Sequence, residues 1–261
     1  MGTPLAVRVI EGHARTYRRT WRGTVITSFV SPVLFLLAMG VGLGELVDRS
    51  GGINRLGMPY LTYITTGLLA ASAMQTAAAD AGFPVQAGIR WTRTYHAVLA
   101  TPVDVRALVL GHLGWLLLRL TFTTIVYAVV IAVFDAAPLG GALLAVLPAL
   151  LTGLAIAAPV TAFSAHLRRD GGLPAMFRFV IVPMFLFSGT FFSIDQLNVF
   201  LRPVAFATPL WHGVELCRLL AVGTRGPGPH VSPLLNVAYL VVWVVVGSWL
   251  AIGEFRKRLA Q

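Results

Sequence analysis

The sequence has very few of the residues on which disulfides, thiolate metal sites and phosphate-binding loops depend. Cys217 is the only cysteine among 261 residues, which excludes an intramolecular disulfide and a multi-cysteine metal site. Lys257 is the only lysine, and it follows Arg256 rather than a glycine. The GxxxxGK[ST] loop that binds nucleotide phosphates is therefore missing. If the protein uses ATP, another chain must hydrolyse it.

Sequence motifs of the common hydrolytic enzymes are missing as well. The six histidines form no HExxH pattern, the ten acidic residues form no Asp-rich magnesium motif, and no GxSxG is present. We therefore expect a protein that is not an enzyme and that binds no metal or cofactor of its own. A membrane-embedded lipid-modifying enzyme, with a site assembled from distant residues, is the third-ranked interpretation.

Charged residues are also scarce, and hydrophobic residues take their place. Only 11% of the residues are charged, 57% are hydrophobic and the mean hydropathy is +0.79, values that indicate an all-α integral membrane protein. The net charge of +10 would suit a nucleic-acid binder, but the basic residues occur in short clusters between apolar runs. We therefore expect no nucleic-acid partner.

Apolar runs of at least about 20 residues are long enough to cross a hydrocarbon core of about 30 Å as helices. Such runs predict six spans in a single transmembrane domain covering 1–261, at approximately 24–44, 60–81, 106–134, 139–164, 174–192 and 233–253. The third run is so long that its first turns are expected to project from the bilayer.

The distribution of basic residues predicts the orientation. With a cytoplasmic N-terminus, 14 arginine and lysine residues lie inside and five outside, which is a strong positive-inside bias. The inside set is Arg8, Arg15, Arg18, Arg19, Arg22, Arg90, Arg93, Arg106, Arg168, Arg169, Arg178, Arg256, Lys257 and Arg258; the outside set is Arg49, Arg55, Arg202, Arg218 and Arg225. Both termini are then cytoplasmic.

Residues 3–22 precede the first span and are predicted to form an amphipathic helix on the membrane surface. Leu5, Val9, Tyr17 and Trp21 recur at multiples of four residues, and arginines occupy much of the remainder. A basic leader without fixed structure is the alternative.

Residues 90–101, "RWTRTYHAVLAT", lie between the second and third spans. Trp91, Tyr95, Val98 and Leu99 are spaced as one apolar stripe of a helix, while Arg90, Arg93 and Thr94 take other faces. Pro102 disfavours helix at the preceding residue, and Asp104 is placed to cap the next helix. We expect a short cytoplasmic amphipathic helix; a simple lipid-surface anchor is the alternative.

Residues 195–221, before the last span, are too polar to cross a membrane and too apolar for a free loop. Helical patterns at 195–206 and 210–221 are separated by Thr208-Pro209, which predicts a re-entrant helical hairpin. In the second piece, Leu210, Val214, Cys217 and Ala221 share one face, and Glu215 stands three residues before Arg218, a spacing suited to an ion pair.

Two motifs within this order of elements resemble those of a known family. "RTYHAVLATPVDVRALVLGHLGW" and "FSGTFFSIDQLNVFLRPVAFATPLWHGVELCR" are similar to the loop after span two and to the region after span five of lipo-oligosaccharide (nodulation-factor) exporter permeases. These, like related drug-exporter permeases, are type-2 ABC exporter permeases, and the resemblance covers nearly the whole chain.

The resemblance implies a permease that dimerises, as a homodimer or a heterodimer, and binds separate ATPase subunits that hold ATP and Mg²⁺. In that family the loop helix between spans two and three is the coupling helix seated on the ATPase. Carried onto this sequence, the coupling residues are Arg90, Trp91, Arg93, Thr94, Tyr95, His96 and Leu99. His96 and His112 depart from the family pattern, which is acidic at both places.

Further residues are candidates for the substrate pathway or its gate: Arg119, Phe187, Phe191, Phe192, Glu215 and Arg218. Arg119 lies near the middle of a span, where a charge needs a partner or water, so a structural ion pair is the equal alternative to a substrate contact. For Glu215 with Arg218 the alternative is an interfacial ion pair, and for the phenylalanines it is anchoring at the membrane interface.

The sequence thus predicts the permease subunit of an exporter in the bacterial cytoplasmic membrane, which moves an amphipathic glycolipid, lipo-oligosaccharide or hydrophobic drug. An ATPase-independent channel or lipid flippase is the alternative. Membrane lipids are expected partners in either case.

Overall fold

The computed structural model of the chain describes residues 5–18, 21–23, 30, 33–49, 51, 56–169 and 171–259. Within these ranges the regular structure is helical and contains no strand. The helices are α1 (Leu5–Tyr17), α2 (Gly44–Arg49), α3 (Tyr60–Arg90), α4 (Thr94–Leu99), α5 (Val105–Val133), α6 (Leu139–His166), α7 (Gly172–Met176), α8 (Val182–Phe187), α9 (Leu201–Phe206), α10 (Pro209–Val222) and α11 (Pro233–Leu259). Segments Leu36–Leu43 and Phe177–Ile181 are π-helical, and Ile194–Gln196 is a 3₁₀ turn.

Local sequence signals account for several helix boundaries. The side chain of Asp104 accepts a hydrogen bond from the backbone N–H of Ala107, so the predicted cap of α5 is confirmed. The hydroxyl of Thr208 accepts from the backbone N–H of Trp211, with Pro209 in the first turn of α10. Gly223 ends α10 at φ 73°, a left-handed conformation that glycine adopts without steric cost.

Helix α6 is the centre of the packed bundle and contacts α3, α5, α10 and α11. Small residues allow these approaches. A Cβ atom on Gly153 would lie 2.9 Å from Leu120 of α5, and one on Gly247 of α11 would lie 2.6 Å from the ring of Pro159. Glycine at these positions lets the helices come closer than any larger residue would allow.

Three described helices are long and apolar enough to cross a membrane: α5, α6 and α11. They coincide with the predicted spans 106–134, 139–164 and 233–253. Helix α3 begins at the predicted start of span 60–81 but runs nine residues further, to Arg90. The predicted span 174–192 ends earlier, because the helical run that starts at Gly172 stops at Phe187. Most of the predicted span 24–44 lies outside the described residues, so the count of six spans stays a prediction.

The helix directions place two sets of loops at opposite ends of the bundle. The Ser164 hydroxyl donates to the carbonyl oxygen of Gly82 at 2.6 Å, so the last turn of α6 lies beside the C-terminal third of α3. Cys217 of α10 contacts the carbonyl oxygen of Ala145, near the start of α6. We call the first end, which carries Arg90 and the last turn of α11, the basic end, and the other the hairpin end.

The helix predicted before the first span is present as α1 and packs along α5; its position at a membrane surface stays a prediction. Val9 is buried, and a Cβ atom on Gly111 would lie 2.7 Å from the Cβ of Val9 and from the carbonyl oxygen of Ala6. The imidazole of His13 stacks on Trp115, and the ring of Tyr17 meets the same indole edge-on. The apolar stripe of α1 therefore faces protein rather than lipid alone.

Candidate functional site

The segment between α3 and α5 is not one helix over 90–101, as predicted, but a turn followed by the short α4. The backbone N–H groups of Trp91 and Thr92 both bond the carbonyl oxygen of Ala87, which closes the end of α3. Arg93 then takes a left-handed conformation with φ 52°, which is uncommon for a residue with a side chain. Since this residue reverses the chain before α4 begins, a continuous helical stripe cannot form. We refer to residues 91–101 as the coupling segment.

Trp91 and Tyr95, predicted to share one apolar face, have opposite environments. Trp91 is 64% exposed, whereas Tyr95 is 4% exposed. The ring of Tyr95 meets the Phe255 ring of α11 edge-on at 5.6 Å and the His112 ring of α5 at 6.3 Å, and it covers Gly88 of α3, where a Cβ atom would lie 2.5 Å from it. Burial raises the pKa of the Tyr95 phenol. One side chain therefore attaches the coupling segment to three long helices.

The other predicted coupling residues lie at the surface of the basic end. Arg93, Thr94 and His96 are exposed, and Arg90 and Leu99 are half-buried. The hydroxyls of Thr92 and Thr94 lie 3.3 Å apart and close the turn around Arg93. The segment thus presents an exposed polar surface with one large aromatic, Trp91, while its anchor points inward.

His112, the second histidine at a position where acidic character was expected, is buried. Both of its ring nitrogens are inaccessible and without a hydrogen-bond partner. Its ring packs beside His13 of α1 and Tyr95 of α4. Burial lowers the pKa of His13. The two imidazoles thus act here as packing groups between α1, α4 and α5.

At the hairpin end, α10 holds a buried ion pair of the predicted Glu215 and Arg218. Arg218 is 2% exposed, and its guanidinium lies 3.4 Å from the carboxylate of Glu215. The same guanidinium donates to the carbonyl oxygen of Gly189 at 2.6 Å and lies 3.7 Å from the ring centroid of Tyr63 in α3. The hydroxyl of Tyr63 donates to the same carbonyl at 3.1 Å.

This network connects α3, α10 and the turn after α8. A Cβ atom on Gly67 would lie 3.0 Å from the carbonyl oxygen of Thr190 and 3.1 Å from the guanidinium of Arg218. The predicted face formed by Leu210, Val214, Cys217 and Ala221 is buried throughout. The ion pair and this face together attach the hairpin to the bundle. The first piece of the hairpin, predicted as a helix over 195–206, is instead the 3₁₀ turn Ile194–Gln196 followed by α9.

Arg119 of α5 has a partner that the sequence did not indicate. Its guanidinium bonds the carboxylate of Asp80 in α3 at 2.8 Å, with side-chain exposures of 24% and 13%. The ring of Tyr17 from α1 lies 5.5 Å from the same guanidinium. Asp80 lies two residues before Gly82, which is level with Ser164 at the end of the predicted span 139–164. Arg119 itself is the central residue of α5, as the predicted span 106–134 implied, so the pair joins the middle of α5 to a part of α3 ten residues before its end.

The predicted aromatic residues are divided between a helix and the turn that follows it. Phe187 is the last residue of α8, while Phe191 and Phe192 lie beyond it. The ring of Phe191 packs on Phe35 and Phe185, with centroids 6.1 Å and 5.0 Å apart, and Phe187 meets Phe192 edge-on. Phe191 thereby joins the region after α8 to the residues before Leu36–Leu43. Both Phe191 and Phe192 are half-buried.

Two features of the folded chain escaped sequence reasoning: the partner of Arg119 and a cleft at the basic end. Asp80 stands 39 residues before Arg119, and only the packing of α3 on α5 brings them together. An isolated acidic residue at the end of an apolar run was the one available signal. Among the described residues, no group of three histidine, cysteine or carboxylate side chains is arranged to hold a metal ion.

Comparison with known proteins gives a consistent result. Residues 8–221 match the family described as "ABC-2 type transporter". The chain is 26% identical to nodulation protein J of Neorhizobium galegae over 246 residues, which are 94% of this chain and 90% of the relative. Nodulation protein J of Rhizobium meliloti (strain 1021) is 27% identical over 243 residues, 93% of this chain and 89% of the relative. That of Rhizobium leguminosarum bv. trifolii is 27% identical over 245 residues, with 92% and 90% covered.

Proposed function

Because the chain belongs to the ABC-2 type transporter family, we propose that it is the permease subunit of an ATP-driven exporter and works with a separate ATPase. The single lysine and the missing phosphate-binding loop support a partner that hydrolyses ATP with bound Mg²⁺. Apolar helices of 27 to 29 residues support a multi-pass membrane location. We assign the bacterial cytoplasmic membrane, with the basic end and both termini in the cytoplasm and a second permease copy completing the transporter.

An amphipathic substrate, such as a glycolipid or lipo-oligosaccharide, is the substrate class that we propose. Similarity to three nodulation J proteins along more than nine-tenths of the chain supports a substrate related to theirs. Exposed aromatic and aliphatic side chains of the α7–α8 run, including Phe179 and Phe187, would offer such a molecule an apolar surface. Phe191 and Phe192 would extend that surface toward the hairpin end.

The observation that carries the mechanism is the two-sided coupling segment. Its outer surface presents Trp91 and Thr94 for the ATPase, and its inner side is attached through Tyr95 to α3, α5 and α11. A displacement of the segment by ATP-driven closure would therefore act on three long helices at once. A freely mobile loop with no buried anchor could not transmit such a displacement.

The hairpin at the other end would act as an external cap over the pathway. Arg218 and Glu215 are bonded within the protein, so we assign them to holding α10 against α3 rather than to substrate contact. Arg119 has a comparable role toward α1 and α3 through Asp80 and Tyr17. A gating displacement of α10 would have to break the bond from Arg218 to Gly189, which is consistent with a tight closed state.

Replacement of Trp91 by alanine tests the coupling assignment. Exposed tryptophans that become buried at an interface often contribute about 2 kcal/mol or more, so co-purification of the ATPase with affinity-tagged permease should fall at least about tenfold. Trp249→Ala is the matched control, because Trp249 is 72% exposed and lies on α11 within the predicted span 233–253 rather than in the segment. ATP hydrolysis in the eluate measures the association.

Tyr95 provides a second arm of this experiment. Tyr95→Phe keeps the ring contacts and should retain the ATPase, whereas Tyr95→Ala should lose both ATPase association and thermal stability. Undiminished association of the ATPase with the Trp91→Ala variant would contradict the assignment of Trp91 to the surface that binds the ATPase. Transport that continues in vesicles without any co-purified ATPase would favour a channel or flippase instead.

A further inference from the structure

A cleft of about 540 Å³ opens at the basic end, between the coupling segment and the last turns of α6 and α11. Five cationic side chains line it: Arg90, Arg93, Arg168, Lys257 and Arg258. They come from three separate stretches of the chain, around 90–93, at 168 and at 257–258, so the cleft exists only in the folded protein.

Among the described residues of the lining Glu254 is the single acidic one, and its carboxylate is already engaged. Its carboxylate accepts a hydrogen bond from Lys257 at 2.8 Å and lies 3.0 Å from the His166 ring nitrogen. The hydrogen bond from Lys257 is the main reason that the pKa of Glu254 lies below its ordinary value. Even with His96 and His166 neutral, the described lining residues comprise five cationic side chains against one carboxylate.

The cations that line one cleft repel one another, and an anion bound between them would reduce this repulsion. Arg258 donates to the carbonyl oxygen of Leu167 at 3.4 Å, a contact that fixes the guanidinium without neutralising it. Four of the five cations are arginines, whose planar fork of N–H donors matches the oxygens of a phosphate group. A phosphate has more acceptor oxygens than a single carboxylate and can therefore pair with more of these cations at once.

The depth of the cleft agrees with a lipid source for that phosphate. Ser164 is hydrogen-bonded to Gly82, and the predicted spans that contain or adjoin them end at 164 and 81. His166 and Arg168 follow Ser164 by two and four residues, or about 3 to 6 Å along a helix. The head-group layer extends over about 5 to 8 Å beyond each face of the hydrocarbon core.

We propose that this cleft is a binding site for the phosphate of an anionic phospholipid head group, which links the coupling segment to α6 and α11. The phosphate would pair with Arg168 and Lys257 on one wall and with Arg90 and Arg93 on the other. The bound lipid would thereby fix the distance between the α3–α4 turn and the ends of α6 and α11.

Native mass spectrometry of the purified full-length chain in neutral detergent tests the proposal. The probes are phosphatidylglycerol, phosphatidylcholine and inorganic phosphate. The double variant Arg168→Gln/Lys257→Gln should bind phosphatidylglycerol more weakly by about fivefold for each charge removed. The matched control Arg106→Gln/Arg256→Gln loses two exposed cations at the same end but outside the cleft and should bind within twofold of the original protein.

Glu254→Gln provides a test in the opposite direction. It removes the acidic group among the described lining residues and should strengthen phosphatidylglycerol binding, a gain that a damaged fold would not produce. Displacement of the lipid by millimolar inorganic phosphate would support recognition of the phosphate group and would identify the free phosphate ion as a second ligand of the cleft.

Equal losses in the cleft and control variants, or equal binding of phosphatidylcholine, would overturn the proposal. So would a cleft that binds no lipid but whose double variant loses the ATPase, because the cleft would then receive an acidic segment of that protein.

Discussion

Removal of the buried guanidinium of Arg218 should weaken the attachment of the hairpin more than removal of the carboxylate of its partner. In Arg218→Met the carboxylate of Glu215 loses its bonded cation, and the carbonyl oxygen of Gly189 loses its 2.6 Å donor. In Glu215→Gln the guanidinium keeps that carbonyl and the face of the Tyr63 ring. The two variants remove the same ion pair and leave different groups behind.

The magnitude follows from burial. Breaking a buried ion pair by removing one partner typically costs about 3 to 5 kcal/mol, because an uncompensated charge remains in the interior. For a chain of this size about 1 kcal/mol corresponds to a shift of roughly 2 to 4 °C in Tm, so Arg218→Met should lower Tm by roughly 6 °C or more. Glu215→Gln should lower Tm by less than half as much as Arg218→Met. The double variant should be more stable than Arg218→Met alone, since it carries no unpaired carboxylate.

Thermal unfolding in detergent, followed by the loss of the monodisperse peak in size-exclusion chromatography, measures these differences. Arg202→Met is the matched control, because Arg202 pairs with Asp195 at 3.8 Å at the same end while both side chains are 43% exposed. Its Tm should change by less than about 2 °C, as expected for an exposed pair. Equal Tm losses in Arg218→Met and Glu215→Gln would refute the reasoning, and so would a double variant no better than Arg218→Met.

Two further predictions concern the packing of α6 and the ion pair of α5. Gly141→Ala should destabilise the protein by about 1 to 3 kcal/mol, since its Cβ would overlap the backbone carbonyl of Ala221. Gly140→Ala is the control and should leave Tm unchanged, because open space surrounds that position. Equal Tm values for the two variants would contradict the close crossing of α6 and α10. If Arg119 is only a structural partner of Asp80, Asp80→Asn and Arg119→Gln should each lower Tm. The double variant should then regain part of the stability and of the transport activity. A stable double variant without transport would indicate that Arg119 contacts the substrate instead.

Local signals in the sequence predicted the parts of this fold that depend on neighbours along the chain. The cap of α5 at Asp104 and the break at Thr208-Pro209 follow from backbone hydrogen bonding within three residues, and both are present. The buried face of α10 followed from the periodicity of its apolar residues. The ion pair of Glu215 with Arg218 has the same origin, because residues three apart on a helix are neighbours.

The coupling segment shows why periodicity alone was not enough. Trp91 and Tyr95 have helical spacing, but helix α3 continues to Arg90 and a left-handed residue at 93 then changes the direction of the chain. The spacing carried no sign of that reversal, because arginine is not a typical left-handed residue. Tyr95 is consequently buried and Trp91 exposed, which separates anchoring from docking where the sequence suggested one shared stripe.

The remaining differences between the predicted and the observed structure arise from contacts between distant parts of the chain. A lone arginine in an apolar run predicts that a partner or water exists, yet it does not say which helix supplies the partner. Asp80 is that partner because α3 packs on α5 in the folded bundle. The same holds for α1, whose stripe could equally have faced lipid, and which packs on α5 because glycine at 111 leaves room for Val9.

The basic end of the molecule joins these contacts into one arrangement. Tyr95 packs against Phe255 of α11 and His112 of α5, and His112 in turn packs against His13 of α1. The ring nitrogens of His112 have no hydrogen-bond partner, so packing alone holds this ring. A displacement of the coupling segment that moved Tyr95 would leave a void beside it unless α1 and α5 followed. Because close-packed interiors resist such voids, α1 should move with α4 rather than stay fixed on a lipid surface. A distance measured between spin labels on exposed positions of α1 and α4 should accordingly stay constant on addition of ATP to the assembled transporter, while a change in that distance would show that the two helices move independently.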